Sequence, residues 1–197
     1  MSSDNFDTRT KILAATWRLM EEGHGHEVRM SDIAAAVGIS RQAVYLYFST
    51  RTELMVETTH YVDEVRGLKG RLQRFEAATT GVETLAAFVE FWGNYLPEIY
   101  GLAKALLAVR ETDEAAAVAW NDRMTSVRSG CRETIEALER DGMLAPGWSQ
   151  GEAIDFFWMM LSVHNWEQLT KGCGWSTSQY IDRMQTLLKC TFVKGFK

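Results

Sequence analysis

Between Val28 and Arg51 the chain reads VRMSDIAAAVGISRQAVYLYFSTR, and this stretch constrains the fold more than any other. Two short helical patterns flank a turn. Ile33, Ala34 and Val37 share one face of the first pattern, and Val44 and Phe48 share one face of the second. Gly38 stands where the first pattern stops, and a glycine there can take the left-handed backbone conformation that ends a helix. Ser40 follows in place to cap the second helix, its hydroxyl accepting an N–H that the helix itself leaves unpaired. Two helices joined by about three residues make a helix-turn-helix.

The outer face of the second helix carries the chemistry. Ile39, Val44 and Phe48 are needed for packing, which leaves Arg41, Gln42, Ala43, Tyr45 and Tyr47 on or near the outside. Arginine and glutamine can form paired hydrogen bonds to guanine and adenine edges in the major groove. Tyrosine and serine hydroxyls bond phosphates, which fix position on a duplex without reading its sequence. Ala43 is small enough for close approach and for contact with a thymine methyl.

Taken together, Ile33-Ala34, Val37-Gly38-Ile39-Ser40 and Val44-Tyr45-Leu46-Tyr47-Phe48 resemble the signature of TetR-type bacterial transcriptional regulators, over about Arg9 to Val56. The remaining two-thirds is similar to that family only in length and helical character. The resemblance implies an all-α fold: a three-helix, helix-turn-helix DNA-binding domain over 1–52, joined by a linker helix to a larger helical ligand-binding and dimerisation domain over 53–197. It further implies a homodimer on a two-fold symmetric double-stranded DNA operator, released by a small-molecule inducer. A cytoplasmic chain is expected from its scattered cysteines, and with no nucleophile–base pair, metal-ligand spacing or phosphate loop, neither an enzyme nor a cofactor is expected. Where the family usually has a capping, phosphate-binding serine or threonine, this chain has Arg29. An arginine can meet a phosphate but cannot accept a cap bond, and local chemistry alone selects Ser31 as the cap. Arg51 stands where the family often places a phosphate-binding lysine. The candidate DNA-binding set is therefore Arg29, Ser31, Ser40, Arg41, Gln42, Ala43, Tyr45, Tyr47 and Arg51.

Composition bears on this in three ways. Only two prolines and many Ala, Leu, Met, Glu and Arg residues favour helix throughout. No run of about 18 uncharged apolar residues suggests a membrane span, and the N-terminus lacks the basic-then-apolar layout of a signal peptide. The net charge of −5 is unlike that of a DNA binder, but residues 1–51 hold six basic and six acidic residues, so the deficit lies beyond them. The three cysteines, Cys131, Cys173 and Cys190, are too scattered for a disulfide framework or metal cluster. His24 and His26 lack further ligands nearby, and no metal site is expected.

Elsewhere the pattern predicts a first helix from Asp7, capped by Asp7 or Thr8. A long helix from Thr50 carries Leu54, Thr58, Tyr61, Val65 and Leu68, and a loosened connection runs to Gly81. Further helices are expected over 82–95, over 97–109 starting at Pro97, over 112–140, from Ser149 to Lys171, and from Ser176 to Val193. The last two are apolar around most of their circumference, which calls for cover on two sides. A partner subunit on one side gives a homodimer through these two helices. Aromatic and methionine side chains line apolar ligand pockets as well as cores, and the candidates here are Trp92, Tyr95, Trp120, Met124, Met159 and His164. Glu90 or Glu98 facing such a pocket would favour a cation. The alternative to a ligand-responsive repressor is a redox sensor working through one of the cysteines.

Overall fold

The computed structural model describes residues 3–23 and 27–196, so His24 and His26 lie outside the described residues. Helix α1 spans Ser3–Glu22, α2 Met30–Val37 and α3 Arg41–Tyr47. Ile12, Leu13, Thr16 and Met20 of α1 are buried, as are Ile33 and Ala34 of α2 and Val44 of α3. The α1 helix begins before Asp7, so Asp7 is no cap; its carboxylate instead meets Lys11 one turn on, at 2.5 Å.

Helix α2 starts at Met30 and not after Ser31. Arg29 occupies the cap position with extended backbone, and the Asp32 carboxylate accepts its N–H at 3.3 Å. Gly38 ends α2 with φ +76°, and Ser40 Oγ accepts the Ala43 N–H at 3.1 Å to open α3. Helix α4, Arg51–Val65, opens in the same way on Thr50, whose hydroxyl accepts the Glu53 N–H at 3.0 Å. The Glu53 carboxylate takes both the N–H and the hydroxyl of Ser49, and these bonds hold its pKa below the ordinary value.

Helix α4 stops at Val65, short of the expected Leu68, because Gly67 turns left-handed at φ +68°. Leu68 opens a separate helix, α5, Leu68–Glu76, where a loose connection was expected. Tertiary contacts override Gly70 there. Arg71 pairs with Glu98 at 2.7 Å, Arg74 pairs with Glu90, and the Phe75 and Phe88 rings lie 5.0 Å apart.

Pro97 opens no helix. Helix α6 runs unbroken from Gly81 to Val109 with Pro97 inside it. A proline in a helix interior costs about 3 kcal/mol, but the buried stripe of Leu85, Phe88, Val89, Trp92 and Leu96 continues past it into Leu102, Ala103 and Leu106. Helix α7, Glu114–Arg140, agrees with the pattern.

The segment after Ser149 divides. Helix α8, Gln150–Met160, ends at Leu161, and Ser162 caps α9, Val163–Glu167, which passes into a π-helical turn, Gln168–Gly172. Two side chains donate to carbonyls at the break. The Trp92 indole N–H donates to Leu161 O at 2.8 Å, and Asn165 Nδ2 donates to Met159 O at 2.9 Å. Helix α10, Thr177–Phe192, is capped by Ser176 and closes the chain.

The residues gather into two compact units, Met1–Gly67 with Ile99–Met124, and Leu68–Glu98 with Thr125–Lys197, so α6 and α7 contribute to both. The first contains α1–α4. The core of the second is aromatic, with Phe157 meeting Phe88 at 6.0 Å and Phe192 at 5.9 Å.

Candidate nucleic-acid interface

Burial of Val44 and Phe48 sets the rotation of α3, and everything else on the helix follows from it. Two ridges of residues four apart stand outward. Arg41 and Tyr45 form one: the guanidinium lies 5.7 Å from the ring centroid, and Nη2 is 3.4 Å from the Tyr45 hydroxyl oxygen. Tyr45 thus props Arg41 while leaving it exposed. Gln42 and Leu46 form the other. Ala43 and Tyr47, on the flank, are half-buried, and Ser40 is exposed but engaged as the cap. Leu46, outside the set suggested by the sequence, is 86% exposed. A leucine in a helical pattern is ordinarily assigned to the core, and only the fixed rotation of α3 shows it facing out.

At the start of α2, Arg29 and Ser31 are exposed beside Asp32, whose Oδ1 lies 3.4 Å from the Ser31 hydroxyl. Two other basic side chains of this unit are engaged within the protein. Arg9 meets Glu57 at 2.7 Å and lies over the Phe48 ring. Arg51 donates through Nη1 and Nη2 to the two Asp113 oxygens, each at 2.6 Å, and through Nε to Val28 O at 2.8 Å. The fork that could grip a phosphate here grips the Asp113 carboxylate. Asp113 also accepts the N–H groups of Ala115 and Ala116 at the start of α7. Burial raises the Asp113 pKa, but the hydrogen bonds from Arg51 and Ala116 and the nearby positive charge outweigh it, leaving the pKa below the ordinary value. The Arg51 pKa is raised, chiefly by its hydrogen bonds to Asp113.

Residues 12–58 match the family model described as bacterial regulatory proteins, tetR family. Over that segment the chain carries the TetR-type DNA-binding module. Solved structures share its fold over nearly the whole length. A transcriptional regulator from Saccharomonospora viridis in complex with choline is 17% identical with a TM-score of 0.72, covering 95% of this chain and 98% of its own. The transcriptional regulator FadR from Bacillus subtilis, in complex with stearoyl-CoA, is 16% identical with a TM-score of 0.71, over 92% and 97%. NalD of Pseudomonas aeruginosa, a secondary repressor of a multidrug efflux pump, is 18% identical with a TM-score of 0.70, over 99% and 100%. Among curated proteins, no sequence matches. No described helix is long and apolar enough to cross a membrane.

The candidate ligand residues do not share one unit. Trp92, Tyr95, Met159 and His164 lie in the second, and Trp120 and Met124 in the first. Trp92 is buried with its indole N–H committed to Leu161, and Tyr95 is buried with its ring stacked on Phe91 at 5.4 Å. Trp120 is buried beneath the Arg110 guanidinium, and Met124 is half-buried. Met159, 45% exposed, and His164 lie at the surface. A shallow hollow on α10 is lined by Ser178, Gln179, Asp182, Arg183 and Thr186 and includes none of the six. Glu90 and Glu98 are matched by Arg74 and Arg71. Of the cysteines, Cys131 is fully buried and burial pushes its thiol pKa far up, while Cys173 and Cys190 are exposed.

Proposed function

We propose that the chain is a ligand-responsive repressor: a homodimer that holds two α3 helices against a palindromic operator and releases it on binding a small apolar or aromatic molecule. The observation that carries the DNA-binding part is α3 itself, with Arg41 and Gln42 exposed on a helix whose rotation is locked by Val44 and Phe48. Arg41 and Gln42 read base edges. Arg29, Ser31 and the Tyr47 hydroxyl serve phosphates. Arg51 acts within the protein.

The second unit supports a neutral ligand. Its interior is aromatic, and its two candidate anions, Glu90 and Glu98, are already paired with arginines. That favours an uncharged molecule over a choline-like cation, the ligand of the Saccharomonospora viridis regulator. A partner subunit covers the outer faces of the last two helical segments, α8–α9 and α10, where Met159 and Leu187 stand exposed.

The test is release of the dimer from a selected operator duplex by three classes of compound: uncharged aromatics, acyl-CoA thioesters and quaternary ammonium ions, with a thiol oxidant in parallel. Release by uncharged apolar compounds is expected. Release by the oxidant alone, abolished by Cys173→Ser or Cys190→Ser, would replace the reading with a redox sensor.

A further inference from the structure

Leu46 is the most exposed large apolar side chain among the described residues, and it stands at the centre of the outward face of α3. At 100° per residue, Gln42 and Leu46 each lie about 160° around the helix from buried Val44, so the two flank the outermost line of the helix. A lone exposed leucine on an ordinary surface needs no explanation. On the face presented to DNA it does, because every other outward group there can make a hydrogen bond and leucine makes none. Its only complement in the major groove is the C5-methyl group of thymine. Ala43, the residue the sequence suggests for that contact, is half-buried on the flank with its N–H held by Ser40.

We propose that Leu46 is a specificity-determining residue that reads a thymine methyl in each operator half-site, an inference that rests on the DNA-binding reading above. The position follows from geometry. Four residues of helix separate Gln42 from Leu46, a rise of about 6 Å, and base pairs are stacked about 3.4 Å apart. The thymine therefore lies one or two base pairs from the adenine that Gln42 reads. With Arg9 and Arg51 engaged by carboxylates, this apolar contact carries a larger share of the affinity than it would on a strongly basic face.

The experiment selects duplexes from a random library with the full-length protein. Each conserved thymine in the selected site is then replaced by deoxyuridine, which removes only the methyl group. The wild type and Leu46→Ala are titrated against both duplexes. Loss of one methyl lowers wild-type affinity about four-fold, and loss in both half-sites about 15-fold. Leu46→Ala shows the same loss on the thymine duplex and no further loss on the deoxyuridine duplex. Equal sensitivity of both proteins to deoxyuridine, or none in either, overturns the assignment while leaving the operator reading intact. Failure to select any duplex overturns both.

Discussion

Replacing Arg51 by alanine separates two roles for this side chain that lead to different measurements. The structure places it between Asp113 and the Val28 carbonyl, with side-chain exposures of 19% for Arg51 and 5% for Asp113. Arg51→Ala leaves a carboxylate almost fully enclosed, held only by the Ala115 and Ala116 N–H groups. Breaking a buried pair by removing one partner costs about 3–5 kcal/mol, and the two remaining N–H bonds place this case near the lower end. For a chain of this size that is a fall of roughly 6–12 °C in Tm. Asp113→Asn keeps one acceptor for the α7 cap and avoids the stranded charge, so it destabilises less. The pair also predicts a pH dependence. The folded pKa of Asp113 is depressed, so its contribution is fully present above the ordinary carboxylate range and is lost as pH falls through the depressed value. The wild-type midpoint therefore falls on acidification below about pH 4, and Asp113→Asn flattens that limb. Thermal unfolding against pH, for both variants and the wild type, is the assay. An unchanged Tm in Arg51→Ala, together with a weaker salt dependence of DNA binding, would refute this reasoning and return Arg51 to the phosphate backbone.

Three further outcomes follow from the packing. Trp92→Phe strands the Leu161 carbonyl at the α8–α9 break and is expected to lower stability by about 1–3 kcal/mol in denaturant unfolding. A Cβ at Gly81 would collide with the Leu138 backbone, whereas one at Gly130 would meet the Phe88 ring edge, so Gly81→Ala should lower the urea midpoint more than Gly130→Ala. A thiol reagent should titrate the exposed Cys173 in the native protein and reach Cys131 only on unfolding.

The parts of this molecule legible in its sequence are those determined within a few residues. Gly38, Ser40 and Thr50 act on neighbours up to four positions away, and each serves the turn or cap its chemistry suggested. The parts that were not legible depend on distant partners. Asp113 lies 62 positions from Arg51, so nothing near Arg51 reveals that its guanidinium is occupied. Pro97 has the local chemistry of a helix start, but a buried stripe runs through it on both sides. The break at Leu161 left a usable local signal, Ser162 three residues before Asn165, obscured by the continuous apolar pattern around it. Leu46 is the converse case. Its type suggested the core, and only the rotation of α3 places it outside. The ligand residues were least legible, because aromatic side chains that fill a core and those that line a pocket have the same spacing.

The central claim, that a dimer presents two α3 helices to a symmetric operator through few charged contacts, is tested most directly by footprinting the complex while titrating salt. The account predicts two protected half-sites centred about 34–36 Å apart, bound by a species of two chains. If Arg29 and Arg41 are the cations that each protomer brings to the DNA, the slope of log affinity against log salt should be no steeper than about −4. A single asymmetric footprint, or a slope near −8 that required Arg9 and Arg51 to leave their carboxylates for phosphates, would contradict it.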